Sequence, residues 1–440
     1  MTYALDNIAE VVRDGLCTGC GTCAGVCPVD AITMLVSNGL FLPEIKEEKC
    51  TRCNVCLKCC PGYSIDLKKL NSHVFGKQPD DLLLGNFSGC YVGHSNDNAM
   101  RFNSSSGGVV PQLLVYALEK GMIDGALVVR MNKDNPLEPE PFIARSPEEV
   151  ISAWKSKYCP VATNAVLRKI LSEDGRFAVV GLPCHIHGIR KAETVFGGLK
   201  DKIVLHIGLF CGHTVNFMGT ELLLKKFRIR KDDVARIDYR GCGWPGFMSI
   251  KLKDGRSLKF RFNKGWNAYW NVFSPFFFTP LRCMMCPDQF NELADVSVGD
   301  AWLPELKGSL GESVLITRTP IAEEMLASQK KSKVLSLKPI TPSMVKESQA
   351  FSLNFKKQNL SGRLSLLRMV GNRTPNINPM PHSSGFLAFV DALLSYVSFY
   401  VSSNRRLRSF LLYVPLPLLR LYFGLFKCVS MLSIHSLHYR

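Results

Sequence analysis

Cysteine carries most of the chemistry in this sequence. Cys17, Cys20, Cys23 and Cys27, followed by Pro28, give C-x2-C-x2-C-x3-C-P, and Cys50, Cys53, Cys56 and Cys60, followed by Pro61, repeat it. Three thiolates on a tight loop can grip one face of an iron–sulfur cubane, while the fourth, before the proline, is directed to the other cluster. Crossed ligation then gathers Cys17, Cys20, Cys23 and Cys60 around one 4Fe-4S cluster and Cys50, Cys53, Cys56 and Cys27 around a second. A pair of structural zinc sites would instead show two separated C-x2-C pairs. Cys59, next to Cys60, is a bystander. Such clusters pass electrons singly and do no bond chemistry, so another part of the chain must supply or consume those electrons.

Further along, Gly-Leu-Pro-Cys184-His and Gly-Leu-Phe-Cys211-Gly-His each follow a strand-like run, and Cys283-Met-Met-Cys286 adds a C-x2-C pair. If both strands are parallel, Cys184 and Cys211 emerge at the carboxyl-end rim where open α/β sheets bind ligands. With Cys283 and Cys286 they make four ligands for a third 4Fe-4S cluster; the alternative is that all four are small core residues. Cys90, Cys159, Cys242 and Cys428 have no partners in sequence and default to that core role. His185, His187 and His213 lie beside the third set and read as donors to it or as packed rim residues. A second feature is Arg101-Phe-Asn-Ser104-Ser105-Ser106-Gly107-Gly108, which opens a helical pattern. Free backbone N–H groups and hydroxyls there suit a phosphate or pyrophosphate, although a serine-rich N-cap serves the helix alone equally well. No G-x-G-x-x-G follows a strand, so the usual dinucleotide fingerprint is absent.

These residues need a scaffold, and the pattern of the chain predicts one. Helical and strand-like segments alternate over Val109 to Lys120 (helix), Gly125 to Met131 (strand), Asn164 to Ser172 (helix), Phe177 to Leu182 (strand) and Ile203 to Phe210 (strand), which predicts an α/β layer with mainly parallel strands. Pro111 fits the first helical turn and Gly121 the C-terminal cap. The polar stretch 361–384 reads as a linker and 385–440 as a mostly helical, basic, apolar tail. In 440 residues, 54 Lys and Arg against 37 Asp and Glu give a net charge of +17. The excess is uneven: Met1 to Asp66 has five bases and eight acids, Arg373 to Arg440 seven bases and one acid. Seventeen cysteines, an odd number, exclude a fully paired disulfide framework. The N-terminus lacks a basic flank followed by an apolar run, so a cytoplasmic location with reduced thiols is expected.

The first segment resembles the bacterial two-cluster ferredoxins, down to the Pro-Val-Asp-Ala-Ile that begins at Pro28. From about Ser88 to Gln349, ordered blocks are similar to the coenzyme F420 hydrogenase/dehydrogenase beta-subunit family: Ser104-Ser-Ser-Gly-Gly-Val, Lys157-Tyr158-Cys-Pro160, Val180-Gly-Leu-Pro-Cys184-His-Ile-His-Gly-Ile-Arg190, Tyr239-Arg-Gly-Cys-Gly-Trp244-Pro-Gly246, Cys283-Met-Met-Cys286-Pro-Asp288 and Glu292-Leu-Ala-Asp295-Val-Ser-Val-Gly-Asp300. That family includes deazaflavin-coupled oxidoreductase subunits and a plant reductase of 7-hydroxymethyl chlorophyll. The resemblance implies FAD and a 4Fe-4S cluster on Cys184, Cys211, Cys283 and Cys286, with Arg101, Ser104, Ser105, Ser106, Gly107 and Gly108 at the FAD. His185 departs from the glutamine of many relatives, and the chain beyond Gly371 lies outside the match.

The expected architecture is therefore an α+β ferredoxin-like domain (1–70) before an α/β flavin and iron–sulfur domain (85–350). Clusters take one electron at a time and organic partners exchange hydride, so a flavin between them completes the electron count. The expected activity is an oxidoreductase linking an organic two-electron partner, such as a deazaflavin, to the clusters and to an electron-carrier protein such as ferredoxin. The alternative is a non-catalytic subunit wiring a partner enzyme to a ferredoxin pool. A nucleic-acid role is excluded by the lack of a Lys/Arg stripe interleaved with aromatics. The tail is expected either as a peripheral anchor on anionic lipid at the inner face of the cell membrane or as a helical cap on the core.

Overall fold

The computed structural model describes residues 7–262, 268–306, 308, 310–378 and 385–435. Eight strands form the central sheet in the spatial order Leu335–Pro339, Gly89–Ser95, Ser313–Thr317, Val296–Asp300, Ile203–Leu209, Phe177–Gly181, Gly125–Met131 and Pro139–Ala144. The four strands from Val296–Asp300 to Gly125–Met131 are mutually parallel, whereas the flanking strands pair antiparallel. The sheet is mixed, so the expectation of mainly parallel strands holds only at its centre. Pro139–Ala144, for example, follows Gly125–Met131 too closely in sequence for a crossover helix and returns as a hairpin.

Phe177, Ala178 and Val179 are wholly buried in succession, as a strand covered on both faces requires. One face carries the helix Val109–Glu119, whose Leu113, Leu114 and Ala117 pack with Ala126, Val128 and Leu205. This helix starts at Gly108, held at φ +72°, and is followed by Gly121 at φ +60°, both conformations that disfavour a side chain. Across the other face lies the helix Pro183–Glu193, where Ile186 and Ile189 share a core with Val26, Ile65 and Leu67 of the cysteine-rich head. The head is thus packed into the body. Gly188 shows how closely: a Cβ there would stand 2.2 Å from the Thr22 hydroxyl oxygen.

The stretch 361–384 is not a simple linker. Leu360–Met369 is a helix with Leu364 and Leu367 fully buried, and Asn376–Asn378 pairs in parallel with Ser64–Asp66 of the head. Alternating apolar residues hidden within a polar composition account for the difference; residues 379–384 lie outside the described ones. Two long helices follow, Phe386–Ser403 and Leu416–His435, joined through the short helix Arg405–Phe410.

Candidate functional site

The two head motifs fold alike. In the first, Gly19 and Gly21 flank Cys20 with positive φ; in the second, Arg52 and Asn54 flank Cys53 in the same left-handed region. That repeated turn sets the spacing of each loop. Cys23 interacts with Cys20, Cys17, Cys60 and Cys56, Cys60 with Cys20, and Cys56 with Cys53 and Cys27. Cys60 thus lies against the first motif's loop and Cys27 against Cys56 of the second. Backbone N–H groups of Gly19 and Ala31 donate to the Cys17 and Cys27 sulfurs at 3.4 and 3.3 Å. Cys59 is fully buried in the core shared with Val26 and Ile65.

The body brings Cys184, Cys211, Cys283 and Cys286 together, with Cys20 of the head also against Cys184. Cys184 opens the helix Pro183–Glu193 directly after the strand Phe177–Gly181, and Cys211 follows the neighbouring parallel strand, its N–H donating to the Gln289 carbonyl at 3.0 Å. Burial pushes the Cys211 thiol up to about 12, and Cys184 and Cys283 also rise because they are desolvated. Metal coordination is what would hold such thiols as thiolates. Among the described residues no three His, Cys, Asp or Glu side chains converge as the shell of one metal ion does.

A buried charge network clamps the Cys184 helix to the sheet. Arg190 pairs with Glu193 at 3.0 Å and Asp295 at 3.3 Å, and His206 sits between Glu193 at 2.7 Å and Asp295 at 3.0 Å. Burial works to raise the Glu193 carboxyl, but His206 and Arg190 outweigh it and hold it at about 2. Burial and Arg190 oppose protonation of His206, yet the two carboxylates carry its imidazole above the ordinary range. Asn164 stitches the head to this helix: its N–H donates to Cys20 O, and its amide donates to Thr22 Oγ1 and His185 O, both at 2.8 Å. Arg282 reaches the second head loop at Pro61 O and Gly62 O.

None of the three histidines belongs to the thiol set. His185 accepts from the Leu182 N–H and donates to Val161 O, and burial lowers its pKa to about 4. His187 pairs with Asp288 at 2.7 Å. His213 is sandwiched by Phe273 and Phe276 and lowered to about 3 by burial. Of the unassigned thiols, Cys90 and Cys159 are buried as expected, but Cys428 is exposed and Cys242 only half-buried, so the core reading fails for those two.

A cavity of about 440 Å3 runs from Ser104, Ser105, Ser106 and Gly108 to Cys211 and His213. Aromatic rings of Tyr158, Phe262, Trp270, Phe273 and Trp302 form much of its wall. Ser105 Oγ accepts from the Ser156 N–H and Ser106 Oγ donates to Glu312 O, so these two serines brace the loop. Ser104 Oγ and Gln289 Oε1 are buried at the wall without partners, polar atoms that a bound ligand would satisfy. Arg101 and Gly107 do not line the cavity. Arg101 donates to Gly311 O and Leu310 O, and the Gly107 N–H donates to Ser313 Oγ. A larger cleft of about 770 Å3, near Glu221 and Arg408, contains none of the expected site residues.

Three contributors have no counterpart among the residues expected from sequence. Lys157 lines the cavity and donates to Trp154 O and Lys155 O; burial lowers its pKa to about 7. Arg240, fully buried, pairs with Asp300 at 2.5 Å and stacks on Phe262. Lys356 lies in a π-helical turn, Asn354–Gln358, against Cys211, Cys283 and Cys286. Burial opposes its charge, but the thiols raise its pKa. Lys157, Arg240 and its partner Asp300 lie within blocks shared with the resembling family, which is a signal for all three; Lys356 has no sequence signal.

Family models match most of the body and part of the head. Residues 90–168 match the N-terminal region, and 174–343 the C-terminal region, of the coenzyme F420 hydrogenase/dehydrogenase beta subunit. The chain belongs to that family. A 4Fe-4S binding domain model matches residues 10–33. The coenzyme F420 hydrogenase beta subunit of Methanothermobacter thermautotrophicus is 29% identical over 267 residues, covering 59% of this chain and 87% of that protein. A component of the F420H2 dehydrogenase of Methanosarcina mazei is 28% identical, covering 72% of this chain and 83% of that protein. The coenzyme F420-dependent sulfite reductase of Methanocaldococcus jannaschii is 28% identical, but this chain covers only 47% of it. In fold, the chain is similar to a chain of the F420-reducing [NiFe] hydrogenase complex of Methanosarcina barkeri, with a TM-score of 0.52 at 20% identity over 68% of this chain and 98% of that one. The family match ends at residue 343, before the Lys356 turn and the two long C-terminal helices.

Proposed function

We propose that this beta-subunit family member is an iron–sulfur flavoprotein oxidoreductase with three 4Fe-4S clusters, FAD and a deazaflavin as the organic partner. The observation that carries this reading is the cavity that reaches from the Ser104–Gly108 loop to Cys211, one member of the body thiol set. A flavin bound there supplies the exchange between hydride and single electrons. Ser104 and the backbone at Gly108 would hold its phosphates, and the aromatic wall would exclude water from the reacting ring. Lys157, its pKa lowered by burial to about 7, would supply a group at the wall that can gain or lose a proton near neutral pH. Cys184, Cys211, Cys283 and Cys286 would hold the adjacent cluster, and Cys20 beside Cys184 makes the head the next station outward. The acidic head suits a carrier protein with a basic surface, such as a ferredoxin-type partner of complementary charge. A full set of reduced thiols suits the cytoplasm.

Anaerobic reconstitution tests the scheme: about twelve irons and one FAD per chain are expected. Reduced F420 alone should then bleach the flavin and reduce the clusters. Fewer than about eight irons, or no flavin, overturns the assignment. Full cofactor content with bleaching only in the presence of a partner enzyme would make the chain an electron conduit.

A further inference from the structure

The first C-terminal helix is built inside out, and both leave an apolar row exposed. On Phe386–Ser403 the inward face carries Ala388, Asp391, Ala392, Ser395, Ser398 and Ser402, all buried, while Phe386, Phe389, Leu393, Val397 and Tyr400 are exposed at three- and four-residue spacing. Leu416–His435 has a mixed inward face, with Ser430 and Ser433 buried beside Leu419, Phe426 and Ile434, while Leu418, Leu421, Leu425 and Leu432 form an exposed row. A water-facing amphipathic helix buries the apolar stripe and exposes the polar one. Here the hydroxyls and the carboxylate are turned inward and satisfied. Asp391 accepts from Ser430 Oγ at 2.5 Å and from the Asn359 amide at 3.0 Å, and Ser402 Oγ accepts from the Phe278 N–H at 2.7 Å.

The apolar face is continuous with the connection between the helices, where Phe410 and Tyr413 are 66% and 82% exposed. Mean hydropathy over the helices reaches 1.5 and 1.4, with only 33% and 28% of those windows buried, so neither is a core helix. Exposed charge in this region is all of one sign: Arg405, Arg406 and Lys427 face outward, and the sole acid of residues 385–435, Asp391, is hidden. We infer that this hairpin is a monotopic membrane-docking surface, lying in the interface of an anionic phospholipid bilayer with its outer rows in the acyl region and its arginines at the headgroups. Each helix keeps its buried serines, and the first also Asp391, on the protein body, so the chain docks without crossing. Charge complementarity selects lipid over a second copy of the chain, because two such faces would bring Arg405, Arg406 and Lys427 against their equivalents.

Flotation of the full chain, purified anaerobically, with phosphatidylcholine vesicles containing or lacking phosphatidylglycerol tests this. Binding to the anionic vesicles is expected, with retention on them reduced about tenfold or more by the double variant Leu421→Glu, Leu425→Glu. Replacing Arg405 and Arg406 by Gln should remove the preference for phosphatidylglycerol. Both sets are exposed, and unchanged iron content and circular dichroism would establish that the variants fold. Absence of flotation by the wild-type chain overturns the proposal. So does a wild-type dimer in lipid-free buffer that the leucine variant converts to monomer.

Discussion

In the head, eight thiols are spaced by two short loops that repeat the same turn; in the body, four thiols come from two strand ends and a separate C-x2-C turn that begins 72 residues after Cys211. Cys53 of the head is exposed, whereas Cys184, Cys211 and Cys283 are desolvated and the body set has a cation, Lys356, against it. The contrast is between a site made by local backbone geometry and one made by packing. A local site survives damage elsewhere, while an assembled site depends on every element that converges on it, including the Arg190–Glu193–His206–Asp295 clamp.

The sharpest break comes at that clamp. Glu193→Ala leaves Arg190 and His206 buried without their carboxylate and should cost about 3–5 kcal/mol, read as a lower thermal transition with early loss of the body cluster's signal. The wild-type contribution has a defined pH window. Glu193 is held at about 2 against 4.5 unfolded, so its share of stability is present above about pH 4.5 and is lost as pH falls toward 2. His206, raised in the fold, contributes below its unfolded pKa and loses that contribution as pH rises through the folded value. Denaturation of the metal-free chain across both windows would check the two signs.

Next in size, on the three-cluster proposal Cys211→Ala should remove about four of twelve irons and leave the head's spectroscopic signals in place. Simultaneous loss of the head clusters would show that the two regions are not separable. Lys356→Met tests the electrostatics within the assembled site: the body cluster's midpoint potential should fall by roughly 50–150 mV while the head potentials stay put, with Lys356→Arg close to wild type. A uniform shift in all three would assign the effect to global structure. The smallest effect belongs to the head turn. Arg52 occupies the left-handed position that Gly19 fills in the sister loop, and Arg52→Gly should stabilise the loop by about 0.5–1 kcal/mol in a thermal scan.

How much is legible in the sequence follows the same division. The alternating segments place Gly125–Met131, Phe177–Gly181 and Ile203–Leu209 correctly, because a buried parallel strand must be continuously apolar. Edge strands carry no such demand, and the antiparallel flanks leave no comparable trace. The Ser104–Gly108 loop is recognisable from composition, yet composition does not tell that Ser105, Ser106, Arg101 and Gly107 serve the loop's own hydrogen bonds. Within the expected linker, Leu364 and Leu367 are core residues that polar neighbours conceal.

By itself the sequence determined the two tandem motifs and the family, because spacing over a few residues is a local property that backbone geometry enforces. Only the tertiary structure decided that Cys20 meets Cys184, that Lys356 faces the body thiols, that one cavity reaches from Ser104 to Cys211, and that the last two helices turn their serines inward. Each of those depends on which faces are buried against one another, and burial is settled by packing across the whole chain rather than by the order of residues along it.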